Sequence, residues 1–515
     1  MRLGIDFGTT RTRVAASLKG NYPCVGFHTE GGEYQDWCPS LIGVRGQEVV
    51  FGLQAQSVEH DSDWSICRSF KRFLSDGHPQ DILEIGKVSL PLLEWLTRFF
   101  SVLREDLLER STLDPGSLVP PLQITAGVPA NANSNQRFLT MEAYRRAGFE
   151  VLGLVNEPSA AGVEYAHRYR RTELSRRREF VLVYDMGGGT FDASVIRMTD
   201  QQHEVVSSEG VSRLGGDDFD QLLLDLALSH SSLAANTHLW VPRTRLLNLC
   251  REAKESITPN TRKVTVDLGQ VSLMAGEVLV PVTQFYEKCQ PLIHQTIQAA
   301  LSSLSAATRW EEDGQQSLGC VYLVGGSCQL PVLARALKDC FGKRVRRSPY
   351  PSAATAIGLA IIADQESGYT LEDQFSRHFG VWRESEEGQQ IVFDPIFLKW
   401  TRLPRPGQPS LRAIRSYRPV HNLGHFRFIE CSHLKNQREP NGDIINWDEI
   451  FFPFDPRLAF ESRLDRIRVE RWPEAKAHLI EEVYSCDAHG LIEVTISNQA
   501  TGLRRTYNIR NEAKK

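Results

Sequence analysis

The sequence predicts an α/β domain built from two similar halves, followed by a smaller all-β domain. Three observations carry that expectation. From residue 1 to about 365, short β-branched runs alternate with amphipathic stretches of helical period. Within that region one strand-turn-strand pattern occurs twice. From about residue 377 the texture changes to Pro, aromatics and period-two runs, which suits antiparallel sheet.

Composition narrows the class. The chain has 515 residues, 41% hydrophobic and 24% charged, which excludes a wholly disordered, collagen-like or coiled-coil protein. Lys and Arg number 59 against 63 Asp and Glu, a net charge of −4, so no dedicated nucleic-acid binder is expected. No apolar run approaches the length that spans a bilayer, and Asp6 arrives before a signal-peptide core could form. Ten cysteines are scattered with no Cys-x-x-Cys pair, which indicates neither a disulfide framework nor a structural zinc site. A multidomain protein of the cytoplasm, not inserted in a membrane, is the expectation.

The repeated pattern comes next. Leu3-Gly4-Ile5-Asp6 is a short apolar strand ending in an acid, followed by Phe7-Gly8-Thr9-Thr10 and a second strand from Arg13 to Leu18. Val181-Leu182-Val183-Tyr184-Asp185 repeats it, followed by Met186-Gly187-Gly188-Gly189-Thr190 and a strand from Phe191 to Ile196. Two such copies suggest a duplicated core whose halves face one cleft. Glycine-hydroxyl turns let backbone N–H groups approach phosphate oxygens. An Asp at each strand end suits the waters of a Mg²⁺ ion. One such turn alone is ordinary backbone geometry; a matched pair points to a grip on a metal-polyphosphate. Two further glycine pairs sit at strand or helix ends. Leu214-Gly215-Gly216 turns into a helix, and Val324-Gly325-Gly326-Ser327 breaks a buried strand. Either alone is a plain connection, but as members of a set they become candidate nucleotide contacts.

These motifs together resemble the nucleotide-binding motifs of the heat shock protein 70 (DnaK-type) chaperones. The resemblance also covers Phe70-Lys71-Arg72-Phe73, Gly127-Val128-Pro129-Ala130 with Gln136-Arg137, and Asn156-Glu157-Pro158-Ser159, and runs in order to about residue 362. It implies an actin-like ATPase domain of duplicated ribonuclease-H-like halves over 1–364, a linker over 365–376, and a substrate-binding β-sandwich over 377–515. It implies slow ATP hydrolysis with ATP/ADP and Mg²⁺. Lys71 would stabilise charge at the γ-phosphate, Asp6 and Asp185 would hold Mg²⁺ through water, and Asp185 would orient or deprotonate the attacking water. Glu157 would join that network, Thr190 would donate to the γ-phosphate, and Thr9 and Thr10 would hold β- and γ-phosphate oxygens. Gly8, Gly187, Gly188, Gly189, Gly215, Gly216, Gly325, Gly326 and Ser327 would complete the nucleotide cradle. Lys254 and Thr258, one helical turn apart, would touch the ribose. Pro129 and Arg137 match positions that relay nucleotide state to the partner domain. Without the resemblance, Lys71 reads as a surface cation and Glu157 as a helix-start acid.

The adenine side departs from the family pattern. Glu255 and Gln329 stand where arginines usually clamp the ring, Arg251 stands where an acid is usual, and Ser352 replaces an Asp. Arg251 and Glu255 can keep an i, i+4 ion pair, but a stacking cation is lost. Altered adenine binding with intact phosphate chemistry is the expectation.

In the tail, Ile480 to Val494 with Thr501-Gly502, and Phe379-Gly380-Val381 through Pro395-Ile396, resemble parts of the family's sandwich, which would bind extended peptide clients. A strand from Leu491 to Ser497 pairs in this reading with one near Arg505 to Ile509, after a turn at Asp487 to Gly490. One helix is expected there, over Arg457 to Arg466. The linker, Tyr369 to Phe375, offers less apolar area for docking than the family's leucine run, and no helical lid follows before Lys515. The leading reading is a divergent, lidless chaperone working with a J-domain partner and a nucleotide-exchange factor. Two rivals are a nucleotide-dependent scaffold with one dedicated partner and, disfavoured for want of an acceptor-binding domain, a small-molecule kinase on the same fold. The arginine-rich segment from Arg168 to Arg178 reads as a solvated loop.

Overall fold

The computed structural model describes residues 1–29, 31–169, 180–199, 201–231, 243–270, 276–307, 318–385 and 390–508. Most of the arginine-rich segment (170–178) and Ile509 lie outside the described residues. The chain divides into two compact units. One comprises Met1–Ser75, Gln80–Asn131 and Thr140–Leu371, the other Asp76–Pro79, Ala132–Leu139 and Glu372–Lys515.

The first unit holds two mixed sheets. One is built from β1 (Arg2–Phe7), β2 (Arg11–Ala16), β3 (Cys38–Pro39), β4 (Leu122–Val128) and β5 (Phe149–Asn156), in the order β5-β4-β1-β2-β3. The other is built from β6 (Phe180–Met186), β7 (Phe191–Thr199), β8 (Gln202–Val211), β9 (Leu318–Val324), β10 (Val345–Arg347) and β11 (Thr370–Glu372), in the order β10-β9-β6-β7-β8-β11. In each, an acid-bearing inner strand (β1 or β6) pairs parallel on one side, with β4 or β9, and antiparallel on the other, with β2 or β7. The register places Asp6 opposite Arg13 and Asp185 opposite Asp192. All seven residues of β6 are buried, as an inner strand covered on both faces requires.

Close helix packing fixes these strands. Four helices matter here: α1 (Glu157–Tyr169), α2 (Gly216–His230), α3 (Arg243–Glu255) and α4 (Ala354–Ala363). Helix α4 consists of small and apolar residues and lies on both β1 and α1. A Cβ added at Gly358 would stand 1.8 Å from the Ala160 carbonyl oxygen, and one at Gly4 would stand 2.2 Å from the Ala360 nitrogen. These glycines let backbones touch. Helix α3 buries Leu246, Leu249 and Cys250 in the core beside β6 and β9, leaving Asn248, Arg251 and Glu255 on another face.

The second unit holds two four-stranded antiparallel sheets. Its strands are β12 (His378–Ser385), β13 (Gln390–Phe397), β14 (Leu411–Tyr417), β15 (Leu423–Lys435), β16 (Glu439–Pro453), β17 (Ile480–Cys486), β18 (Ile492–Asn498) and β19 (Arg504–Tyr507). They are ordered β13-β12-β15-β16 and β14-β17-β18-β19. Phe379, Phe428 and Trp447 of one sheet and Tyr484, Val494 and Ile496 of the other share one core. Strand β17 alternates buried and half-buried residues. Its Glu482, fully buried, is held by Arg383 through contacts of 3.0 and 2.6 Å, which offsets the cost of burying a lone carboxylate. The expected pairing of β18 with β19 is present, and the turn before β18 closes at Gly490, whose φ of +75° favours glycine.

The helix expected over Arg457 to Arg466 does not form. Two short 3₁₀ turns, Pro456–Leu458 and Leu464–Arg466, stand in its place. Phe460, the residue a helix would need to bury, is 99% exposed, and a ten-residue helix with no packed apolar face is not stable in water. Within the stretch expected as a linker, Thr370–Glu372 is the outer strand of the six-stranded sheet.

Candidate functional site: a cleft between two acid-glycine hairpins

The β1–β2 and β6–β7 hairpins meet. A Cβ on Gly188 would lie 2.9 Å from the Thr10 Cγ2 atom, and one on Gly189 would lie 2.7 Å from the Thr9 side chain. Between and beside them runs a cleft of about 800 Å³ to its mouth. Asp6, Gly8, Thr9, Thr10, Lys71, Glu157, Asp185, Gly187, Gly188 and Thr190 all line it. The two turns are braced alike. Ser40 Oγ donates to the Gly8 carbonyl at 2.7 Å, and Ser327 Oγ donates to the Gly187 carbonyl at 2.8 Å.

The other glycine pairs close the same wall. Gly216 N–H donates to the Gly187 carbonyl at 3.0 Å, and Gly325 N–H to the Pro351 carbonyl at 2.7 Å. A Cβ on Gly325 would stand 2.3 Å from the Met186 carbonyl oxygen, and its φ of +85° is open to glycine. Gly216, Gly325, Gly326 and Ser327 line the cleft; Gly189 and Gly215 stand behind it, Gly215 crowding the Gly188 carbonyl.

At the cleft floor the charges are unbalanced. Lys71 Nζ bonds Glu157 Oε1 at 2.7 Å, both side chains buried. Burial alone would lower the Lys71 pKa, but the Glu157 and Asp6 carboxylates override it and hold the ammonium above its usual value. Burial, then Glu157, pushes Asp6 up to about 7, against the pull of Lys71 and Arg13. Asp192 also rises to about 7, from burial and Glu157, and Asp185 rises well above the carboxylate range for the same reasons, with Asp6 and Asp192 adding to it. Four acids against Lys71 and Arg13 leave an excess of carboxylate that favours an added positive charge. Among the described residues, no three Asp, Glu, His or Cys side chains are grouped to ligate a metal directly.

Away from the floor, the cleft continues into a second cavity. Arg11, Lys254, Glu255, Gly326 and Ser327 line both, and Thr258, Gln329 and Arg347 line the second alone. Lys254 is buried, paired with Asp220 at 2.6 Å and donating to the Gly216 carbonyl at 2.7 Å. The i, i+4 pair expected between Arg251 and Glu255 is replaced by contacts to other elements. Glu255 meets Arg11 at 2.7 Å and Arg251 meets Glu59 at 3.8 Å. Arg11 and Glu59 lie close enough to draw each partner off the helix surface. Pro129 and Arg137 do not line the cleft. Pro129 follows β4, and Arg137, within the second unit, donates to the His489 carbonyl at 3.2 Å.

A family model described as Hsp70 protein matches residues 122–376. Over that segment the chain belongs to the Hsp70 family. Hsp70 proteins are ATPases of actin-like fold that bind ATP or ADP with Mg²⁺. The matched segment carries Glu157, Asp185, Thr190 and all the later glycine motifs. Asp6, Thr9, Thr10 and Lys71 precede it, and the geometry of the cleft brings them to the same floor. Reading motifs in sequence missed three residues at or behind this cleft. Asp192 was legible as the acid facing Asp185 across the hairpin. Arg13, opposite Asp6, was equally legible. Arg72, which donates to the Gly189 carbonyl and to Asp218, had no local signal, since its partners come from distant turns.

Proposed function

We propose that the protein is an ATP-driven chaperone of the Hsp70 type, hydrolysing ATP slowly between the two hairpins and engaging extended peptide segments or a dedicated partner through its β unit. The single observation that supports this best is the Lys71–Glu157 pair set at the floor of a cleft flanked by Asp6, Asp185, Thr9, Thr10 and Thr190. In this reading 1–364 is the ATPase domain of duplicated halves, 365–376 the connection, and 377–515 a β-sandwich.

The roles follow from the site's electrostatics. Lys71, fixed by Glu157, supplies a positive charge that strengthens as negative charge develops on a transferring phosphoryl group. Asp185, its affinity for protons raised well above the ordinary carboxylate value by burial and then by the neighbouring acids, suits a group that orients or deprotonates the attacking water. The threonine hydroxyls and glycine backbones of the two turns hold phosphate oxygens. Magnesium, held through water by Asp6 and Asp185, would neutralise charge on the bound polyphosphate. The base side, with Glu255 tied to Arg11 and Gln329 beside Arg347 in the second cavity, suits weakened adenine recognition.

Two assays on one preparation test the proposal. Phosphate release from ATP with no acceptor present should be slow and Mg²⁺-dependent, and stimulated by a J-domain protein; a requirement for a small-molecule acceptor would favour a kinase instead. Suppression of aggregation of a denatured model protein should change between ADP and ATP. ATP turnover without any suppression would favour a scaffold with one dedicated partner.

A further inference from the structure

The turn that carries Lys71 is tied down on two sides. Residues Phe70–Ser75 form a 3₁₀ turn. On one side the Phe70 ring packs on Phe7 of β1 at 5.4 Å and on Phe99 at 5.1 Å. On the other, side chains flanking Lys71 reach across to α2 and to the glycine turn of the β6–β7 hairpin. Ser69 Oγ donates to Asp217 Oδ2 at 2.5 Å. Arg72 donates to Asp218 Oδ2 at 2.7 Å and to the Gly189 carbonyl at 3.3 Å.

The two acids are themselves fixed to the second hairpin. Both stand in the first turn of α2, where carboxylates suit a helix N-terminus. The Asp217 N–H donates to the Gly188 carbonyl at 2.8 Å, and Asp218 Oδ2 also accepts from the Gly215 N–H at 2.8 Å. Asp217 thus grips the Lys71 turn with its side chain and the Gly188 turn with its backbone. Ser69 meets it from a left-handed conformation, φ +55°, which a serine keeps only where its surroundings hold it. Ser69, Arg72 and Asp218 do not line the cleft, so they reach its chemistry only through the groups they hold.

We infer that Ser69, Arg72, Asp217 and Asp218 form a clamp that sets Lys71 against the Gly187–Thr190 turn. They are positioning residues: a charge donor displaced by about 1 Å loses much of its effect on a reacting group. For its consequence on turnover the inference rests on the proposed ATPase reading; for the placing of Lys71 it does not.

Two readouts on the full chain keep these apart. Without nucleotide, acetylation of Lys71 by acetic anhydride, followed by mass spectrometry, should run about tenfold faster in Ser69→Ala and in Asp217→Ala than in the parent, since a hydrogen bond to a charged group no longer opposes local opening. Asp217→Asn, which still offers Ser69 an oxygen, should stay near the parent rate. With Mg²⁺·ATP, both alanine variants should lose about tenfold in kcat while KM stays within about threefold. The double variant should be no slower than the slower single one, because both remove the same bond. Thermal melting shows which variants fold; should Asp217→Ala not fold, Ser69→Ala, which leaves α2 intact, is read alone. A parent with no ATP turnover would sink the ATPase reading and leave acetylation to decide the clamp. Lys71 acetylated at the parent rate in folded Ser69→Ala would overturn the inference, and so would an Asp217→Asn protein acetylated as fast as Asp217→Ala.

Discussion

Lys71 illustrates how little a single residue shows before it is placed. In sequence it is one cation in a basic stretch; in the fold it is buried, 2.7 Å from Glu157, with Asp6 close enough to raise its proton affinity. Lys71→Ala should cut ATP hydrolysis by about 10²- to 10³-fold, the loss typical of one fixed transition-state charge donor, while calorimetry still registers nucleotide binding. Unchanged turnover would remove Lys71 from the mechanism. Asp6 and Asp192 give a pH prediction. Both rise from the ordinary value of 3.8 to about 7, so the folded state holds protons that the unfolded chain has given up. Stability of the nucleotide-free protein should therefore fall as pH rises from about 4 to 7. Asp6→Asn should flatten this slope and raise the nucleotide-free melting temperature while impairing Mg²⁺·ATP turnover; a slope unchanged in the variant would contradict the assignment.

Elements show where sequence reading succeeded and where it stopped. Acid-strand-turn-strand patterns were legible because each hairpin is local: Asp6 and Arg13, or Asp185 and Asp192, find one another through a four-residue turn whose glycines are visible in the text. The β18–β19 hairpin was legible for the same reason. What failed was long-range. The helix expected over Arg457 to Arg466 had suitable residues but nothing to bury Phe460, and the pairing of Glu255 with Arg11 replaced the local pair with Arg251 because β2 lies across the cleft. The crossing of α4 over α1 was invisible too, since it depends on two backbones touching at Gly358 and Ala160. Gly358→Ala should destabilise the first unit by about 1–3 kcal/mol or more, an overpacking cost with backbone as the obstacle. Chemical denaturation would measure it, and a loss under ~0.5 kcal/mol would mean that the helices separate easily.

For the whole molecule, the two mixed sheets with matching strand order around β1 and β6 bring both acidic turns to one floor, and four carboxylates there outnumber Lys71 and Arg13. Such a site is most stable when a cation and a polyphosphate complete it. The most direct test of that claim is a crystal structure grown with Mg²⁺ and a non-hydrolysable ATP analogue. The account predicts phosphate density between Gly8–Thr10 and Gly187–Thr190, with a hydrated metal facing Asp6 and Asp185 and with Lys71 beside the terminal phosphate. Nucleotide bound elsewhere, with that floor closed to the anion, would contradict it.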